Sequence, residues 1–393
     1  MATQSVKDIL NTEIPRPAFS LRPSPVAPLP NEATFNRSSK ARTLNANRDI
    51  TQVSSGEARY YGADQPLLLE PFETNRLIDA KDPSNWDRSE PGLSVTINAG
   101  AAKGQPFSRV TLSGTGFDKF TNFLSVSGGD PVAVSLIGRR FSGSDKDIVL
   151  ALFDGTGTQS ISVNLQDGSF GLSEDASGTT IESKVIDIGG GWYYVKFVYE
   201  PTSTVDVNGL RLGLLGDGTE IDFLHAQAEK GYFVTTPISN NIGIRQPDKL
   251  EISVNDDNDE EGTFIFEFSI PAEKVSNNNA FLKFKGSGDK INIAHNGGGS
   301  PYFFKYSDSS STTGIAATGL LSSFKKRKLA VSFDRNEIRI SLAGNVNVNS
   351  QDYDGDIIGD DVKFRLFGIP LRLFSVRYFP QLLSTETLRT LTS

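Results

Sequence analysis

Gly189–Glu200 runs GGGWYYVKFVYE, Asn208–Gly218 runs NGLRLGLLGDG, and Glu220–Ile238 runs EIDFLHAQAEKGYFVTTPI; these three runs decide the fold. A glycine turn releases a strand in which Tyr193, Val195, Phe197 and Tyr199 share one face, because successive side chains of a strand point to opposite sides. Lys196 and Glu200 on the other face predict partial solvation there. In the second run Leu210, Leu212 and Leu214 alternate and end at Gly216-Asp217-Gly218, a strong turn signal. The third begins at Ile221 and leads into Thr235-Thr236-Pro237. Three consecutive strands with tight turns and no helix between them predict an antiparallel β-sandwich.

The pattern continues on both sides. Upstream, strands are predicted at Ser94–Ile97, Ser108–Ser113, Val132–Ile137, Ile148–Phe153, Ser160–Leu165 and Thr180–Asp187, with glycine-rich turns between them. Such spacing suits a jelly-roll-type sandwich. Downstream, Phe264, Phe266, Phe268 and Ile270 alternate with Ile265, Glu267 and Ser269, giving one apolar and one mixed face. Leu329, Val331 and Phe333 run into Asp334-Arg335-Asn336, and Ile338, Ile340 and Leu342 leave it, which predicts a hairpin with a polar tip. Further strands are predicted at Val362–Phe367 and Leu371–Tyr378, and Ser384 is placed to cap a short helix carrying Leu388 and Leu391.

Composition narrows the function classes. The 393 residues hold 37 Gly, 19 Pro and 26 Phe, which suits a turn-rich β protein of two domains plus an extension. Zero cysteines exclude disulfides, thiol catalysis and thiolate metal sites. A formal charge of −8 argues against general nucleic-acid binding. MATQSVKDIL lacks the basic-then-apolar order of a signal peptide, and the longest apolar run, Ile148–Phe153, is too short to span a bilayer. A soluble chain is expected; if it works outside a cell, something other than a standard signal peptide takes it there.

The N-terminal segment reads differently. Pro15, Pro17, Pro23, Pro25, Pro28 and Pro30 fix φ and remove amide donors, favouring an extended backbone. Through Ile50 this segment carries +3 against −11 for the remainder. It is either a spacer or an attachment arm that orders on a neighbouring subunit through Arg16, Phe19, Arg22 and Phe35. The predicted organisation is an arm and leader over 1–62, a sandwich over 63–246, and a second sandwich with a short terminal helix over 247–393.

The G-W-Y-x-V strand and the order A-Q-x-E-x-G-x-F-x-T-x-P-I resemble the end of a concanavalin A-like lectin module of tailed-bacteriophage virion proteins. Upstream, FNRSSKARTLNANRDI (Phe35–Ile50), ARYYGADQPLLLEP (Ala58–Pro71) and TNRLIDAKDPSNW (Thr74–Trp86) resemble that family's leader and first strand, so the resemblance covers about residues 33–245. The C-terminal third is loosely similar to laminin-G-like sandwiches. The resemblance implies an all-β chain with two concanavalin A-like or jelly-roll antiparallel sandwiches, acting as a non-enzymatic fibre, spike or head-decoration protein at the virion surface. It also implies assembly in the host cytoplasm, contacts with other virion proteins through the arm, adhesion to cell-surface glycan, and a homo-oligomer, expected to be a trimer.

Candidate chemistry is sparse. Glu220-Ile221-Asp222 places two carboxylates on one strand face, as in glycosidases of concanavalin A-like fold, but Leu224 and His225 occupy the position of the acid/base, so no catalytic residue is assigned. His225 and His295 begin no zinc site or serine triad; His225 reads as a packed strand residue and His295 as a loop residue beside Asn296. No cofactor is expected; Asp352, Asp354 and Asp356 form the better of two acidic runs that could hold calcium, set against the commoner reading of solvated acidic loops. Lys325-Lys326-Arg327-Lys328 reads either as a polyanion site or as a charged sheet edge. A glycan platform needs an exposed aromatic near amide or carboxylate groups; Trp86, His295, Asn296 and Tyr302 fit best, with Trp192 expected in the core. Two other readings stay open: a tail-spike-type glycosidase working through Glu220 and Asp222, and a purely architectural cement protein.

Overall fold

The computed structural model describes residues 15–71, 73–77, 81–88, 92–113, 117–142, 148–153, 157–174, 177–202, 205–215, 219–238, 244–254, 261–270, 279–285, 291–295, 302–307, 312–316, 325–334, 336–350, 362–366 and 370–393. The strands expected around Gly189–Ile238 form as Tyr193–Glu200, Val205–Leu215 and Glu220–Lys230. Ahead of the first, Gly189, Gly190 and Gly191 take φ of 83°, 69° and 73°, a left-handed run that side chains with a Cβ resist.

Two six-stranded antiparallel sheets make the first sandwich. One runs Thr179–Asp187, Tyr193–Glu200, Val132–Ser142, Glu220–Lys230, Gln105–Leu112, Leu93–Ala102; the other runs Phe170–Glu174, Thr158–Val163, Ile148–Phe153, Val205–Leu215, Phe117–Val126, Asp87–Arg88. Tyr193, Val195, Phe197 and Tyr199 face Ile148, Leu150, Ile161 and Val163 across the dry interior. Burying each such side chain contributes roughly 1.5–3 kcal/mol.

In the second sandwich, Gly262–Ser269 and Leu371–Phe379 sit at the centre of an eight-stranded sheet, packed on a seven-stranded sheet built around Lys249–Val254 and Val362–Leu366. Its core includes Phe264, Phe266, Val331, Phe333, Val376 and Tyr378. The hairpin of Arg327–Phe333 and Glu337–Leu342 forms as expected, closed by Asp334 N–H donating to Glu337 O at 2.9 Å. Ser384 Oγ caps the helix Thr385–Thr392 by accepting from Thr387 N–H, and Leu388 and Leu391 lie against Ile265, Ala330 and Phe379.

The leader departs from expectation in placement, although it is extended. Phe19–Leu21 pairs with Val376–Tyr378, Ala33–Asn36 pairs with Lys249–Ile252, and Arg59–Tyr60 with Leu67–Leu69 completes the eight-stranded sheet. Phe19 and Phe35 therefore fill this chain's own second core and do not project as anchors toward a neighbour. The boundary expected at residue 62 is corrected accordingly, because segments from 19 to 69 belong to the sandwich whose other strands begin near 249. The apolar residues of the Pro-rich stretch lacked a period because they serve separate edges of an existing sandwich.

A second correction follows from the same segment. The hairpin Ala41–Leu44/Ile50–Val53 lies on the outer face of the first sandwich, where Leu44 and Ile50 join Ile137, Trp192, Tyr194, Val198 and Leu224 in a further apolar layer. Lys196 is thus 8% exposed, with Nζ donating to Val234 O at 3.4 Å, where partial solvation was expected. The basic run is corrected as well. Arg327–Phe333 is an interior strand, Lys326 pairs with Glu267 at 3.0 Å, and Lys328 Nζ donates to Ser393 O at 2.9 Å, so the run guards no edge.

Candidate functional site

Charged groups meet where the leader crosses between the sandwiches. Arg59, fully buried, donates to Glu70 Oε2 at 2.7 Å, Thr236 Oγ1 at 2.7 Å, Arg42 O at 3.1 Å and also to Asp248 Oδ2. Arg37 Nη1 donates to Asp248 Oδ1 at 3.0 Å, and Arg245 Nη1 stands 3.0 Å from Glu70 Oε2. Burial alone would raise the Glu70 carboxyl, yet Arg245, Arg59 and the Thr236 hydrogen bonds hold it at about 2. Close by, Glu229 accepts from Thr235 N–H at 2.9 Å; burial pushes it and Glu73 upward, with repulsion from Glu73 adding to the rise at Glu229 and repulsion from Glu70 adding to it at Glu73. This ionic knot ties residues 37, 59 and 70 to residues 236, 245 and 248, and so holds the sandwiches against each other.

The lock leaves a cleft of about 250 Å³ beside it. Its apolar walls are Leu44 of the leader hairpin and Ile186 and Ile188 from the edge of the first sandwich; Tyr61 and Phe374 add aromatic faces, and Arg48, Asp64 and Arg372 supply polar groups. Gly62 N–H donates to Leu44 O at 2.8 Å and Tyr61 N–H to Pro66 O at 3.2 Å, which fixes the 61–66 loop on the hairpin. Arg48, at φ 62°, turns the hairpin and donates from Nη1 to Asp187 O at 2.7 Å. Arg372 and Phe374 reach the cleft through a β-bulge. Phe268 pairs with Leu373 and Glu267 with Ser375, so Phe374 is the extra residue and its strand bends there. The Arg372 Cζ lies 4.2 Å from the Tyr61 ring centroid. Aromatic surface beside convergent polar donors can hold the C–H face and hydroxyls of a sugar. A second cleft of about 310 Å³ beside Arg37 and Lys249 has no aromatic residue among its described lining.

The paired carboxylates of the first sandwich are already engaged. Asp222, fully buried, accepts from Arg109 Nε and Arg139 Nε at 2.8 Å each. Glu220 accepts from Ser142 Oγ at 2.5 Å and Thr111 Oγ1 at 3.3 Å. His225 is buried and bonded to Gln227 at 3.2 Å, as expected for a packed strand residue; burial, with Arg42 and Lys81 nearby, lowers it to about 3, so it is neutral.

The predicted glycan-binding residues do not gather in the cleft. Trp86 was a glycan candidate because its loop could expose it, beside a core reading; it follows the short 3₁₀ turn Pro83–Asn85 but is 4% exposed, edge-on to Phe223 at 5.9 Å, and belongs to the first core. That is a correction, and the reason is the turn, which directs the indole inward. Trp192 is buried as expected. His295 ends the strand Ile291–His295 rather than lying in a loop, and its backbone pairs with Tyr302. Asn296 lies outside the described residues, as do Asp352, Asp354 and Asp356. Arg16 and Arg22 are exposed. The cleft residues Tyr61, Arg372 and Phe374 were missed; the available signal was the slip in LRLFSVRYF, where apolar alternation at Leu371 and Leu373 resumes one residue late at Val376 and Tyr378.

No protein-family profile and no curated protein match this sequence. Among solved structures, the chain resembles Trypanosoma rangeli sialidase at 9% identity, covering 91% of this chain and 76% of that one, with a TM-score of 0.29. It also resembles the N-terminal CBM22-1-CBM22-2 tandem domain of Paenibacillus barcinonensis Xyn10C at 11% identity, over 79% and 98% of the chains, with a TM-score of 0.25. The receptor binding domain of botulinum neurotoxin mosaic serotype C/D matches at 13% identity over 37% of this chain, with a TM-score of 0.30; this chain spans 39% of its length.

Proposed function

We propose that this protein is a non-enzymatic adhesion module that binds surface glycan in the cleft between its two sandwiches. The observation that carries the reading is a preformed cleft with aromatic faces from Tyr61 and Phe374 and polar groups from three chain segments, fixed by a buried ionic knot. A site held rigid before binding loses little entropy when ligand arrives. The engagement of Asp222 by two arginines and of Glu220 by two hydroxyls supports a structural role for that pair over a nucleophile and acid.

The finer assignment is a fibre, spike or decoration protein at the surface of a tailed-phage virion. Its support is the order of motifs across residues 33–245, which resembles the lectin modules of such proteins. Of the residues considered for attachment, Arg16 and Arg22 are exposed, and contact with other virion proteins is assigned to them. A trimer would multiply weak glycan contacts by avidity.

A glycan array probed with the full chain and with a Tyr61→Ala/Phe374→Ala variant tests the binding reading. Binding by the wild type, lost in the variant without loss of folding, is expected. A wild type that binds no glycan would favour the architectural alternative. Release of reducing ends from host polysaccharide, abolished by Glu220→Gln, would establish a hydrolase instead.

A further inference from the structure

We propose that the ligand of the cleft is a carboxylate-bearing sugar, a uronic-acid or sialic-acid-type unit of an acidic polysaccharide, with its carboxylate held by Arg372 and Arg48. This rests on the reading of the cleft as a glycan site and specifies the chemistry of what enters it.

The first observation is a contrast among the arginines. Arg37, Arg59, Arg109, Arg139, Arg245 and Arg339 each stand within ion-pair distance of an Asp or Glu, in a chain with 47 acidic residues against 39 basic. Arg372 and Arg48 line the cleft, and neither has a carboxylate partner among the described residues. The Nε of Arg372 is buried without a hydrogen-bond partner there, and the guanidinium lies over the Tyr61 ring at 4.2 Å. A guanidinium partly stripped of water against an aromatic face, with no carboxylate beside it among the described residues, is matched by a planar bidentate carboxylate.

The second observation is the balance of charge and shape. The described cleft lining carries Arg48 and Arg372 against Asp64, a net positive spot on a chain of formal charge −8. Lys326 lies over the Phe374 ring at 4.5 Å and adds cationic potential at that wall, tempered by its pairing with Glu267. Apolar walls at Leu44, Ile186 and Ile188 exclude water from one side of a ring, and Asp64 is available to accept from sugar hydroxyls. A volume of about 250 Å³ admits one or two sugar units, so recognition centres on a single charged residue within a longer chain. A bare inorganic anion would leave the aromatic faces unused.

Calorimetric titration of the full chain tests this, with hyaluronan hexasaccharide, trigalacturonate and sialyllactose as acidic probes. Maltohexaose and carboxyl-reduced hyaluronan hexasaccharide serve as neutral ones. Binding of at least one acidic probe is expected, with an affinity that falls as salt rises and at least a tenfold loss when the carboxylate is reduced. Arg372→Gln should weaken acidic binding more than tenfold, Arg48→Gln by several-fold, and Arg372→Lys should fall between wild type and Arg372→Gln, since lysine keeps the charge without the fork. Near-UV circular dichroism of each variant must match the wild type; Arg48, on an exposed turn, keeps the test available should Arg372 variants misfold. Neutral probes binding as tightly as acidic ones, and equally in Arg372→Gln, would overturn the charge assignment while leaving the glycan reading intact. Failure of every saccharide to bind the wild type would overturn both.

Discussion

Replacing Asp248 with Asn tests the ionic knot. Asp248 Oδ1 accepts from Arg37 at 3.0 Å, and Oδ2 accepts from the Glu70 amide at 2.8 Å and from Arg59. Three guanidiniums (Arg37, Arg59, Arg245) face two carboxylates (Glu70, Asp248), so the cluster carries one excess positive charge, and the substitution raises that to two. Whichever oxygen becomes an amide then presents N–H groups to a donor in a buried site. Breaking a buried pair by removing one partner costs about 3–5 kcal/mol. In units of this size that corresponds to roughly 6–20 °C in melting temperature. Arg59→Met is the informative companion, since it leaves Arg37 with Asp248 and Arg245 with Glu70, a neutral set. It should cost less than Asp248→Asn, and denaturant unfolding followed by fluorescence measures both. The reasoning is refuted if Asp248→Asn costs under about 1 kcal/mol, or if Arg59→Met is the more damaging of the two.

Three further outcomes follow. Phe19→Ala removes a ring from the second core and should destabilise that sandwich by about 3 kcal/mol, read as an earlier unfolding transition; a transition at the wild-type position would place Phe19 outside the core. Trp86→Ala should cost about 3–5 kcal/mol in urea denaturation while the folded fraction keeps its glycan affinity, because the indole packs on Phe223 and not in the cleft. Stability should fall as pH rises from the ordinary carboxylate range past neutrality, because Glu229 and Glu73 have raised folded-state pKa values and the native state therefore binds more protons there than the unfolded state. Glu229→Gln should flatten that slope in a pH series of melting curves, and an unchanged slope would remove the pair from the explanation.

Most of the first sandwich was legible because its strands alternate cleanly between two environments. Tyr193, Val195, Phe197 and Tyr199 identify one face, and the glycines ahead of them identify the turn. The second face was misjudged at Lys196 because it is covered by a hairpin some 150 residues earlier, and the alternation in a strand reports its own amphipathicity rather than what lies on top of it. The leader was misplaced for a related reason. Strands of two to four residues such as Phe19–Leu21 and Arg59–Tyr60 have no period of their own; pairing with strands more than 300 residues away in the first case gives them their form. The cleft was the least legible element, since Arg48 and Tyr61 meet Ile186 and Phe374 only after the sandwiches are locked together. The bulge at Phe374 left its mark in sequence as a one-residue slip, a signal that speaks of bent backbone and not of what the bend exposes.

Hydrogen exchange of the full chain with and without its strongest array ligand tests the central claim most directly. Slowed exchange is predicted over residues 43–50, 61–66, 186–188 and 371–375, the backbone that surrounds the cleft. Protection confined to the hairpin of Ile291–His295 and Tyr302–Ser307, with none around the cleft, would contradict it.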